Sequence, residues 1–450
     1  MDASVRLGAA LFRLFGNKRI TWVRLLLFFW SSFFASLVKI PITTAAGKCA
    51  YRGCMKQLIK TTLACLVLGV SVSLSAQDLT ITNARIITSS GEVIERGSIV
   101  VRDGSIVSVA PGTPAAVDIN MMDANGMTAM PGFIDAHRHI NTGPDEKAQM
   151  QALLEAGYTT ILSGGGPAEG NITLRDHIDS GLINGPRIIP TGRVSLMIPP
   201  EQARAEIRAM ALLGIKFTGE IHLTSFPGPT DQEMEVLRAI LDEAGKAGVM
   251  VQVHAVSSQS TMAAVEAGVK RLVHTTNKNF LDRESAQRMA TSGVMVLTTV
   301  GFGSPVFGVY SDDNVPTFRD GNPWPDSIAL TSQVPELHMG EEAAHAPLNA
   351  RTLWDAGVVL GYCTDTSYDP TAGLDHELKI LNVMFSMVDL VKMLGTNTAA
   401  YIQMEDQIGD LAPGKLADII LLDGDPLEGY WNWLNTKVVI KGGVVMVDKR

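Results

Sequence analysis

The sequence is short of cysteine, of aromatic residues and of charge. Only four of 450 residues are cysteine. Cys49, Cys54 and Cys65 lie in an N-terminal stretch read below as removed. That leaves Cys363, and a single thiol closes no internal bridge, so a disulfide-stapled fold is excluded. Aromatics make up 6% and charged residues 18%, against 46% hydrophobic residues. A chain so apolar can bury a sizeable core and lacks the composition of a disordered protein. A basic surplus is also missing from the body of the chain. Residues 1–76 hold ten Lys or Arg against Asp2, a net +9, and the total is −9, so the rest carries −18. So acidic a body argues against binding a phosphate backbone, and no nucleic-acid partner is expected.

Long hydrophobic runs are confined to the N-terminus. Met55–Lys60 is a short basic start, Thr61–Gln77 carries no charge, and Ser73-Leu74-Ser75-Ala76 offers the small residues of a cleavage site. This is the pattern of a secretory signal peptide over residues 55–76, which implies an exported protein, periplasmic or secreted. The run is short for a membrane span, which needs about 20 apolar residues. Cys65 lacks a lipobox. A second run, Leu25–Val38, lies between Arg24 and Lys39 and would serve as a membrane anchor. The complete signal beginning at Met55 favours reading residues 1–54 as an extension from a mis-assigned start.

From Asp78 the pattern is β-rich. Ser98–Val101 and Ser105–Val109 alternate around the turn signal Asp103-Gly104. The other end is similar, with Ala417–Leu422 and Thr436–Ile440 as strands and Gly442-Gly443 turning into Val444–Val447. Residues 79–130 and 405–450 are therefore expected to pair as one small β-sandwich. Between them strands and helices alternate. The strands are expected at 132–139, 158–163, 187–192, 215–221, 249–254, 271–275, 294–300 and 358–365. Eight strands with intervening helices predict a parallel α/β fold, and eight is the count that closes a (β/α)8 TIM barrel, here over 131–404. A doubly wound open sheet is the runner-up. The segment 301–340, rich in Gly, Pro and Asp, is expected to lie over the barrel mouth.

The chemistry is carried by histidines. In Pro131-Gly132-Phe133-Ile134-Asp135-Ala136-His137-Arg138-His139, the period of a strand points His137 and His139 to one side and Arg138 away. His-x-His alone is a weak metal signal. His254 and His274, however, end two further expected strands, and Asp365 ends the eighth. Barrels build their sites at these strand ends, so the set reads as a metal centre.

These motifs resemble the amidohydrolase superfamily. The resemblance rests on the Pro-Gly-Phe-Ile-Asp-Ala-His-Arg-His stretch, the strand-end His254, His274 and Asp365, and the tail Gly409–Asp418, and it covers residues 79–450. It implies a (β/α)8 barrel with a β-sandwich from both chain ends, and a hydrolase acting on a carbon–nitrogen bond. Binuclear members carry a bridging anion from strand 4, often a carboxylated lysine. Glu220 fits that place, as in enamidase-like members, and imidazolonepropionase-like members are also close. Lys216 starts four residues earlier, roughly 13 Å lower along the strand, and is expected to stay among the core layers. The expected ligands are His137, His139, Glu220, His254, His274 and Asp365. They would hold two divalent ions, zinc first, with iron, manganese or nickel also compatible. Asp365 is the expected proton carrier and His222 a candidate for substrate contact.

The implied substrate is a small molecule, a cyclic amide first and a dipeptide or acylated amino acid second. A lactonase or esterase would use the same site, and a metal-free scaffold or binding protein is the alternative of another class. Deaminases on this scaffold usually place a glutamate three residues after the strand-5 histidine, where this chain has Ser257. Self-association into a homo-oligomer is left open by the sequence.

Overall fold

Alternating apolar residues build the first sheet. Strands β1 (Leu79–Ile87), β2 (Val93–Arg102), β3 (Ser105–Pro111), β4 (Met121–Asp123) and β5 (Thr128–Pro131) come from the N-terminal part. Asp103 and Gly104 both take positive φ, 47° and 77°, the twist a tight hairpin between β2 and β3 requires. β5 pairs antiparallel with β15 (Ile419–Leu422), which continues through β16 (Thr436–Lys441) to β17 (Val444–Asp448). The two chain ends therefore share one eight-stranded mixed sheet. Ile81, Ile99, Val101, Ile419, Leu421, Val438 and Ile440 pack together as its core.

The computed structural model describes residues 78–114, 120–140, 142–301 and 338–450, with side chains in the last span from Ala344 onward. The expected extension 1–54, the apolar run 25–38, the signal peptide 55–76 and residues 302–337 of the loop after strand 7 lie outside the described residues. No helix among the described residues is long and apolar enough to cross a membrane.

The middle of the chain alternates strand and helix. β6 (Phe133–Arg138) is followed by α1 (Glu146–Glu155), β7 (Tyr158–Ser163), α2 (Ala168–Asp179), β8 (Arg187–Ile189), β9 (Thr191–Gly192) and α3 (Pro200–Leu212). Then come β10 (Phe217–His222), α4 (Asp231–Ala247), β11 (Met250–His254), α5 (Ser258–Glu266), β12 (Arg271–Val273), α6 (Arg283–Ser292) and β13 (Met295–Leu297). α7 (His338–Asp355), β14 (Val359–Gly361) and α8 (Pro370–Met384) complete the alternation. The helices start and stop where side chains satisfy their ends. α4 opens on a Thr230/Glu233 capping box and closes on Gly248 at φ 69°, the left-handed conformation glycine adopts without strain.

β6-β7-β8 and β9 through β14 form two parallel sheets. β8 and β9 are one strand interrupted at Pro190, which has no N–H to give a ladder. At the other edges, Ala136 N–H donates to Tyr362 O at 3.2 Å and Asp365 N–H to His137 O at 2.8 Å, linking β6 to the chain leaving β14. Number, order and direction of the strands fit a (β/α)8 barrel. Ile134, Ala136, Leu162, Phe217, Val273, Leu297 and Cys363 pack into one cluster although they come from separate strands or the chain just beyond them.

The strand expectations hold in place but not in length. The stretches 294–300 and 358–365 contain only Met295–Leu297 and Val359–Gly361 as strand, and the strand expected at 215–221 spans Phe217–His222, starting two residues later and ending one residue later. Beyond Leu297 and Gly361 the chain leaves the ladder before the expected strand end. Lys216 precedes β10 and is solvent-exposed, so its expected place among the core layers is corrected.

Candidate metal centre

Strand register delivers the site. Across β10 and β11, Glu220 stands opposite Gln252 and His222 opposite His254. β12 pairs His254 with Val273, so His274 falls one residue beyond. β6 supplies His137, with His139 just past its end. His274 and Asp365 lie outside their ladders with φ of 72° and 53°. A residue with a Cβ adopts that conformation at a cost and keeps it only when its surroundings dictate it. Here the bend turns each side chain into the shared site.

All seven residues singled out in the sequence come together. Asp365 Oδ1 lies 2.9 Å from His139 Nε2 and 3.3 Å from His137 Nε2. Glu220 Oε2 lies 3.0 Å from both His254 Nδ1 and His274 Nε2. Its other oxygen, Oε1, is 3.3 Å from His222 Nε2 and 3.7 Å from His137 Nε2. His222 stacks on His254 with ring centres 4.3 Å apart and is 63% exposed, a position at the rim. Two groups, His137/His139/Glu220/Asp365 and Glu220/His222/His254, have the composition and closeness to hold a metal ion.

The electrostatics suit cations. Burial would raise the Glu220 carboxyl, but His137, His222, His254 and His274 hold it well below the usual carboxylate range. Asp365 behaves alike, with burial opposed by His137 and His139. Burial depresses His137, yet Asp365 and Glu220 push it up to about 9. Without a metal the anions would bind protons on the imidazoles instead. Despite these distances, His137 Nδ1 and Nε2 and Asp365 Oδ1 are buried with no hydrogen-bond partner among the described residues. Buried polar atoms seldom go unpaired without a reason. Two ligands about 2.0–2.1 Å from one tetrahedral zinc sit roughly 3.3 Å apart, which matches this spread of contacts. The residues present therefore fit a metal.

The sequence reading missed the residues behind the ligands. Asp135 is fully buried and accepts from His137 N–H at 3.1 Å, Thr364 N–H at 3.2 Å and Thr364 Oγ1 at 2.6 Å. Arg138 is buried too, and donates to Thr364 Oγ1 at 3.1 Å, Thr366 Oγ1 at 2.8 Å and Tyr368 O. Together they tie β6 to the bend that carries Asp365. Asp135 shares the parity of His137 and His139, a signal that was present in the strand. His274 Nδ1 pairs with Thr299 Oγ1 at 2.7 Å, which orients the ring and leaves Nε2 facing the site. A Cβ on Gly164 would come within 3.0 Å of His137 Nε2, so glycine keeps that nitrogen reachable. The other histidines with described side chains belong elsewhere. His177 pairs with Glu146 at 2.9 Å, His345 with Asn277 O at 3.1 Å and His376 with the Tyr368 hydroxyl at 3.1 Å.

Glu377, on α8, is a second buried carboxyl. It accepts from Val300 N–H at 3.0 Å and Gly301 N–H at 2.5 Å, fixing where the chain leaves β13. Burial raises its pKa from 4.5 to about 7. Between those values the folded state holds a proton that the unfolded state has lost, so stability falls as pH rises from 4.5 to 7 and levels off above. The shift corresponds to about 3 kcal/mol at 1.4 kcal/mol per unit. Glu377→Gln should flatten that decline, read as urea midpoints at pH 5 and pH 8. An unchanged pH dependence would refute the assignment.

Histidines and carboxylates gathered at the C-terminal ends of parallel strands define an α/β enzyme with a candidate metal centre. The chain belongs to the amidohydrolase family, whose profile matches residues 128–446. It is similar to imidazolonepropionase of Saccharopolyspora erythraea, 24% identical over 72% of this chain and 86% of that one. It is also similar to adenine deaminase of Desulforamulus reducens, 23% identical over 84% of this chain and 60% of that one. Among solved structures, a putative prolidase from Bifidobacterium longum superposes with a TM-score of 0.67 at 24% identity, over 84% of this chain and 97% of that one. That likeness bears on the fold.

Proposed function

We propose that this chain uses two divalent metal ions, zinc first, to hydrolyse the C–N bond of an amide, a cyclic amide being the first class to test. The observation that carries this reading is the division of Glu220. One carboxylate oxygen faces His254 and His274 at 3.0 Å, and the other faces His137 at 3.7 Å. His137, His139, Asp365 and Glu220 Oε1 would hold one ion, and Glu220 Oε2, His254 and His274 the other. When bound, such ions activate water and polarise the scissile carbonyl.

The protein's own groups do the rest. Asp365 stays ionised near neutrality because His137 and His139 lie against it. It can therefore accept a proton from the attacking water and return it to the leaving nitrogen. Thr299 orients His274, and Asp135 holds the backbone of His137 and Thr364 so that the two ends of the site keep their spacing. His222 stands at the rim, where a substrate enters.

The same reading closes the two parallel sheets into a (β/α)8 barrel over 131–404, with 79–130 and 405–450 as a composite sandwich beside it and residues 55–76 as the export signal. Deamination is disfavoured by Ser257. Its hydroxyl donates to Ser225 O at 2.6 Å and accepts from Ser260 N–H at 3.1 Å as the cap of α5, and it carries no carboxylate to shuttle protons. The test is the metal content of the purified protein, followed by hydrolysis of lactams, dipeptides and lactones with and without chelator. Bound metal and chelator-sensitive cleavage of a lactam are expected. Metal-free protein with no chelator-sensitive hydrolysis would sink the proposal.

A further inference from the structure

A cavity of about 550 Å³ opens beside the site and is lined by His139, Glu220 and His222 at one part and by Arg193 at another. Arg193 follows β9 and is the only Lys or Arg among the described residues that line it. It has no hydrogen-bond or ion-pair partner among the described residues. Besides Glu220, two acids share the lining, yet neither pairs with Arg193. Glu233 is taken by the Thr224 hydroxyl at 2.9 Å and the Thr230 N–H at 2.7 Å, and Glu206 faces Gln202 at 3.5 Å.

The placement of Arg193 is specific. A Cβ on Gly165 would lie 3.6 Å from its Nε, and one on Gly219 would lie 3.7 Å from its Cγ. Those glycines are the neighbours of Gly164, which borders His137 Nε2, and of Glu220. The arginine stem thus runs along the rim directly beside the candidate metal ligands. Met197, on the loop after it, is 81% exposed and lines the same cavity. One face of the cavity is therefore cationic and fork-shaped, with an apolar side chain next to it, in a protein whose body is otherwise strongly acidic. An unpaired guanidinium in such a place is made for a carboxylate, which it grips with two parallel hydrogen bonds.

We propose that Arg193 binds a carboxylate of the substrate, so that the amide cleaved here, ring or open chain, is an acid such as an N-acyl amino acid or a carboxyl-bearing lactam. This rests on the hydrolase reading above. Arg193 sets specificity through binding and takes no part in proton transfer.

The test separates the two readings because it needs no turnover. Binding to the metal-loaded protein is measured by calorimetry for two matched pairs, N-acetyl-L-methionine with its amide and L-pyroglutamate with its amide. In at least one pair the acid should bind roughly 10- to 100-fold more tightly than the amide, the worth of a charge-assisted pair. Arg193→Gln should bring that ratio close to one, and Arg193→Lys should keep part of it because the charge remains. A wild-type protein with no acid preference in either pair, or a preference that survives Arg193→Gln, overturns the proposal. Failure of the hydrolase reading would show separately, as absence of bound metal and of cleavage.

Discussion

On the proposed two-metal reading, Glu220→Gln is expected to cost the protein at least one metal ion and to lower hydrolysis by roughly a thousandfold or more. The substitution keeps the size of the side chain and removes its charge. A carboxylate presents acceptor lone pairs on both oxygens, and here those oxygens face different histidines, at 3.0 Å for His254 and His274 and at 3.3 and 3.7 Å for His222 and His137. An amide can offer an oxygen to only one side, and its N–H2 would point donors at the other. The four imidazoles that hold Glu220 ionised would also lose their anionic neighbour. Lys216→Met is the matched control. Lys216 is exposed ahead of β10, roughly 13 Å from the level of Glu220, so metal content should not change. Loss of metal in Lys216→Met, with both ions and near-normal activity kept in Glu220→Gln, would reverse the assignment and remove the main support for a cyclic amide.

The cluster of histidines and carboxylates was legible because strands carry their side chains at fixed parity and at their ends. His137 and His139 sit two apart, and His254 closes a run of apolar residues, so each could be placed by counting. The order of strands and helices was legible for the same reason. What counting could not supply was the way the chain leaves the sheet. His274 and Asp365 were read as the last residues of strands, yet both lie beyond the ladder at positive φ. That conformation is set by tertiary contacts, Asp365 N–H to His137 O among them, and leaves no mark in a periodicity. Supporting residues were illegible for a related reason. Parity placed Arg138 only on the side away from the two histidines, and its partners Thr364, Thr366 and Tyr368 lie more than 220 residues away in sequence. Glu377 looked like any helical glutamate until the backbone it caps was in view. Arg193 stands alone in its stretch, and only the cavity shows that it shares a space with the histidines.

Asp365→Asn should lower the turnover number by about a hundredfold to ten-thousandfold while metal is retained, the usual worth of a general acid–base group. Asparagine is the informative replacement. Asp365 holds φ at 53°, a conformation asparagine accepts about as readily as aspartate, whereas alanine would add strain. The backbone link from residue 365 N–H to His137 O is untouched, and the side-chain oxygen that remains can still face His139. What disappears is the ability to take a proton, because an amide does not do so near neutrality. His137, His139 and Glu220 stay in place, so binding of substrate, read as KM, should move far less than turnover. The measurement is a pair of numbers on one preparation, metal per chain and the rate constant under saturating substrate. Full metal with activity within tenfold of wild type would show that another group carries the proton. Activity falling only in proportion to metal would make Asp365 a ligand without an acid–base role.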